Sequence, residues 1–93
     1  MAELLSDQAI ADQLERSQWT RERDEIVREL KFDDFAGAMA FANRVADAAE
    51  AANHHPDIFV HSWNRVRLTL TNHSAGGLTA ADFALAARLD ELA

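Results

Sequence analysis

The one proline, Pro56, constrains this chain most: it cannot continue a helix, and its ring biases His55 before it towards extended backbone. It separates two stretches of different hydrophobic period. Before it, Phe35, Met39, Ala42, Val45, Ala46 and Ala49 fall in one apolar stripe at about 3.6 residues per turn, with Asp33 or Asp34 available as a cap. This spacing predicts an amphipathic helix running to about Asn53, with Glu50 at the edge of its buried face. After the proline, Ile58 to Ser62 and Trp63 to His73 are dense in strand-forming residues. In the longer run Val66, Leu68 and Leu70 point to the core, and Trp63, Arg65, Arg67, Thr69, Thr71 and His73 share the other face.

Local signals place two further helices. Ser6 can cap a short one, reaching about Ser17, that carries Ile10, Ala11 and Leu14. Gly76 and Gly77 break the strand, and Thr79 with Asp82 three residues on resembles a capping box for a last helix bearing Phe83, Leu85, Ala86, Leu89 and Leu92. The stretch from Trp19 to Phe32 stays open. Arg21 to Lys31 favours helix by propensity, whereas Ile26, Leu30 and Phe32 line one face of a strand, interrupted by Arg28. Helices with an antiparallel sheet predict an α+β two-layer sandwich, and without repeats or low-complexity runs residues 1–93 read as a single domain.

Composition narrows the function. No cysteine is present, so disulfides, thiolate metal sites and cysteine nucleophiles are excluded. The first residues carry no basic n-region or long apolar run, which makes cytoplasm the expected compartment and a membrane an unexpected partner. A formal charge of −7 argues against nucleic acid; Arg65 and Arg67 together read as a solvated strand face. A domain this small buries only somewhat more than about 60% of its unfolded surface, so self-association is expected to add stability.

Three of the four histidines, His54, His55 and His73, lie at a proline-marked turn and a strand end. Imidazole exchanges protons near neutral pH, so such a set suits acid–base work or metal binding. Metal is disfavoured: adjacent residues in extended backbone point to opposite sides, and no His-x-x-x-His pair sits on a helix. No Gly-x-Ser-x-Gly elbow supports a serine nucleophile. Any one of these histidines alone reads as a surface side chain; three at these positions are less easily explained so.

The ordered set Glu50, His54-His55-Pro56, Trp63, His73 and Asp82 resembles the signature of the pterin-4a-carbinolamine dehydratases, also called the dimerisation cofactor family. Lys31-Phe32, Phe35, Phe41, Asn43-Arg44-Val45-Ala46 and Gly76-Gly77-Leu78-Thr79 add to it, so the likeness covers roughly residues 19 to 92. The resemblance implies a four-stranded antiparallel sheet covered on one face by helices, with a hairpin between about Trp19 and Phe32. It implies dehydration of a 4a-hydroxytetrahydropterin to the quinonoid dihydropterin, with His54 and His73 in proton transfer and His55 mainly orienting the ring. Glu50, Asn53, Pro56, Thr71, Asn72, Asp82 and Trp19 would contact or frame the substrate. By the same resemblance Glu50 and Asp82 would orient histidines or bind the pterin's donor groups, and for Asp82 a structural capping role fits equally well. No metal or organic cofactor is implied, since the pterin is the substrate, and the expected assembly is a homodimer or homotetramer. The family's second role implies an alternative, a non-catalytic module that stabilises a partner's oligomer. Asn53 stands where some relatives carry an acid, which implies lower activity, and His61 lies outside the signature as a surface residue.

Overall fold

The computed structural model describes residues 3–93. Its elements run α1 (Asp7–Leu14), β1 (Thr20–Glu22), β2 (Glu25–Lys31), α2 (Phe35–Ala52), β3 (Asp57–His61), β4 (Arg65–Leu70) and α3 (Ala80–Leu92). The four strands form one antiparallel sheet in the order β1-β2-β4-β3. This is the α+β architecture predicted, and the ambiguous stretch is a β-hairpin: alternation of Ile26, Arg28 and Leu30 prevails over helix propensity because β4 supplies a partner strand.

Each helix starts as its sequence dictates. The Ser6 hydroxyl accepts from the amide of Ala9, and Asp34, not Asp33, caps α2 by accepting from Gly37. At Gly37 a Cβ would stand only 3.1 Å from that carboxylate, so the missing side chain leaves room for the cap. Thr79 caps α3.

The core lies between the sheet and the helices. Ile26, Leu30, Val66, Leu68 and Leu70 from the strands meet Ile10, Phe41, Val45, Leu85 and Leu89 from the helices. Phe41 is fully buried, its ring centroid 5.1 Å from that of Phe32. Two expectations change here. The buried stripe of α2 is Ala38, Phe41, Ala42, Val45 and Ala49, whereas Phe35, Met39 and Ala46 face out. The helix packs against both α3 and the β3–β4 half of the sheet, and that rotates its buried face towards Phe41. Trp63 is not a strand residue but sits in the β3–β4 turn, 62% exposed.

Candidate active site at one end of the sheet

The α2 terminus fixes the first histidine. Asn53 adopts left-handed backbone (φ 50°, ψ 43°), its amide reaches Glu50 O at 3.2 Å, and the amide of His54 reaches Ala49 O at 3.1 Å. These two bonds make a Schellman motif, in which asparagine is tolerated because its short polar side chain accepts the left-handed region. The residue expected to touch substrate is therefore a helix terminator, which explains an amide at that position. Directly beyond it the chain passes His54, His55 and the half-buried Pro56 into β3.

Strand register brings the distant stretch alongside. Asp57 pairs with Thr69, so the segment entering β3 and the segment leaving β4 emerge side by side at one end of the sheet. The leaving segment is pinned twice. The Thr71 hydroxyl donates to Asp24 O at 2.6 Å, and Asn72 closes a loop by bonding Gly77 O through its amide (3.0 Å) and Ala75 N through its side-chain oxygen (2.9 Å). Gly76, at φ 81°, supplies the left-handed turn this loop needs. His73 stands exposed on it, lining an open hollow of about 330 Å³ with Thr71, Asn72 and the Arg23-Asp24-Glu25 turn.

The α3 N-terminus completes this end. Asp82 is fully buried, and its Oδ2 accepts from the Thr79 amide at 2.8 Å and hydroxyl at 3.3 Å. Its Oδ1 lies 2.5 Å from Nε2 of His54. Capping and orienting, weighed as alternatives from sequence, are carried out by the same carboxylate. A carboxylate accepting at Nε2 requires the hydrogen there, so Nδ1 is left as the second functional nitrogen. His55 bonds Glu50 through Nε2, but both side chains are largely exposed.

The expected residues are thus gathered unevenly. His54 and Asp82 form one part-buried pair, His55 and Glu50 a surface pair, and His73 with Thr71 and Asn72 a separate rim, with no side-chain hydrogen bond joining His73 to the other two among the described residues. Trp19 is not a wall of this end. It is 4% exposed in the core, with its indole N–H on Asp90 at 2.8 Å, about 12 Å along α3 from Asp82. Arg28, the misfit on the strand face, shares that Asp90. Sequence reading missed two contributors. Thr79 holds Asp82, a role legible in its capping spacing, and the Arg23–Glu25 turn faces His73, which stayed hidden while the hairpin was undecided. Among the described residues no group of three or more histidine or acidic side chains is arranged to hold a metal, and no helix is long and apolar enough to cross a membrane.

The helix-covered four-stranded sheet is shared with a solved structure described as a pterin dehydratase. The structure described as a transcriptional coactivator/pterin dehydratase from Brucella melitensis superposes with a TM-score of 0.88 at 33% identity, over 96% of this chain and 97% of that one. A pterin dehydratase-like protein described as a RuBisCO assembly factor in the alpha-carboxysome matches with a TM-score of 0.64 at 27% identity, over 80% of this chain and 84% of that one. A provisionally named pterin-4-alpha-carbinolamine dehydratase of Chloroflexus aurantiacus is 55% identical over 95% of both chains. The family model for pterin 4 alpha carbinolamine dehydratase matches residues 3–92, and this chain belongs to that family.

Proposed function

We propose that this chain dehydrates a 4a-hydroxytetrahydropterin through its histidines. The supporting observation is the fully buried Asp82 carboxylate on the half-buried His54 ring, at the end of the sheet from which the His73 segment also emerges. The reaction breaks the C4a–O bond, forms a C4a=N5 double bond and releases the N5 proton. Hydroxide leaves poorly, so an acid must deliver a proton to it while a base accepts the one from N5. With its hydrogen held on Nε2 by Asp82, His54 offers Nδ1 as the acceptor and is the base in this reading. His73, whose ring has no hydrogen-bond partner among the described residues, is free to present a proton to the leaving hydroxyl. His55, tethered to Glu50, orients the ring, and Asn72 and Thr71 hold the loop that carries His73. One general acid or base contributes about 10²- to 10⁴-fold in rate. His54→Ala and His73→Ala should therefore each lose dehydration activity by at least about 100-fold while keeping a native circular dichroism spectrum. Near-normal turnover in both removes the histidines from the mechanism.

A second reading has its own support. The exposed Phe35 and Met39 on α2, and the description of a structural neighbour as an assembly factor, fit a module that docks on a partner's oligomer. The two readings part when pterin turnover and oligomeric state are measured on one sample, since a folded oligomer without turnover supports the module.

A further inference from the structure

At the end of the sheet remote from His54, His55 and His73, where His61 closes β3 and is bonded to Glu29, three locally unfavourable features meet around one hollow. The β3–β4 turn places Ser62 at φ 50° and Trp63 at φ 57°, a left-handed pair normally given to asparagine and glycine. A bulky residue there is an outlier that persists only when its surroundings hold it. Asn64 does the holding: 5% exposed, it donates through its side-chain nitrogen to Phe32 O at 2.9 Å, accepts from Phe32 N at 2.8 Å, and donates from its amide to Ser62 O at 2.7 Å. The turn backbone is thus held, while Trp63 upon it is 62% exposed to water.

The third feature is electrostatic. Lys31 and Arg65 are direct cross-strand partners, and like charges placed opposite one another destabilise a strand pair. Neither has a carboxylate partner among the described residues, although the chain carries a net charge of −7. Both line the same open hollow of about 480 Å³ as Trp63, together with Phe32, Asp33 and Asn64. Asp33 is the one acid on that lining.

Local rules broken together at a single spot, with the paired cations left without a carboxylate partner among the described residues, mark a place shaped for something outside the fold. We propose that this hollow binds a small aromatic anion, its flat ring stacked on Trp63 and its anionic group held between Lys31 and Arg65. Two cations against one acid leave the lining net positive and suited to an anionic group, and the volume lies in the range of small-ligand pockets. The site is separated from His54, His55 and His73 by the length of β4, about 20 Å. It therefore stands or falls independently of the proposed dehydration.

The test uses adenosine 5′-monophosphate as the probe and tryptophan emission as the readout, with the buried Trp19 as an internal constant. Saturable quenching with a half-effect below about 1 mM is expected. Arg65→Gln should weaken it at least about tenfold, adenosine and inorganic phosphate should each bind more weakly, and Trp63→Leu should abolish the heat of binding in titration calorimetry. Absence of saturation with the monophosphate overturns the proposal. So does equal competition by phosphate alone, and so does Trp63 emission that changes on dilution without ligand, which would mean that a second copy of the chain covers the hollow.

Discussion

At one end of the sheet Asp82 is fully buried, yet it answers three donors, the amide and hydroxyl of Thr79 and Nε2 of His54. At the other end Lys31 faces Arg65 with no carboxylate to answer either among the described residues, beside a tryptophan held in left-handed backbone. Burial of charge is costly unless it is hydrogen-bonded, and at the first end both oxygens of Asp82 have donors, through a helix cap that doubles as a histidine anchor. The second end is tolerated because water solvates it. Satisfied polar groups thus fix geometry for chemistry, and unsatisfied ones mark where an outside ligand can contribute.

That contrast is open to direct tests. The sharpest pairs His54→Ala with Trp63→Ala under one dehydration assay: the first should cost at least about 100-fold in turnover and the second almost nothing. Equal losses would merge the two ends into one site. Next comes Asp82→Ala, which strands the His54 ring hydrogen and the Thr79 amide. It should lower stability by about 2–3 kcal/mol and the melting temperature by roughly 10–20 °C, read by calorimetry. A smaller effect belongs to Asn64→Ala, which leaves Phe32 O without its side-chain donor and loosens the turn. It should cost about 1–2 kcal/mol in urea unfolding and leave dehydration intact. The smallest has the opposite sign. Replacing the turn by Ser62→Asn with Trp63→Gly matches residue type to backbone and should raise stability by about 0.5–1 kcal/mol. A loss instead would show that the indole contributes more by packing than it costs by strain.

The candidate site was partly legible before the structure. Thr79 and Asp82 announce a helix start by spacing alone, and His54-His55-Pro56 announces an abrupt exit from a helix, because both signals arise within a few bonds of the residues that carry them. That Asp82 also reaches His54, 28 residues away, could not be read locally. Trp19 shows the converse. An aromatic expected to wall the pterin site is instead a core side chain tied to Asp90, since a tryptophan's position is decided by the volume around it.

By itself the sequence determined the kinds of element and their ends: the cap residues, the strand alternation of Val66, Leu68 and Leu70, and the break at Pro56, all properties of neighbouring residues. Only the tertiary structure decided that Thr20 to Lys31 is a hairpin, which way α2 turns its apolar face, that Trp63 belongs to a turn, and which histidine receives the buried carboxylate. Those outcomes depend on which surfaces meet across the fold, and the free energy of that meeting outweighs propensities worth less than about 1 kcal/mol per residue.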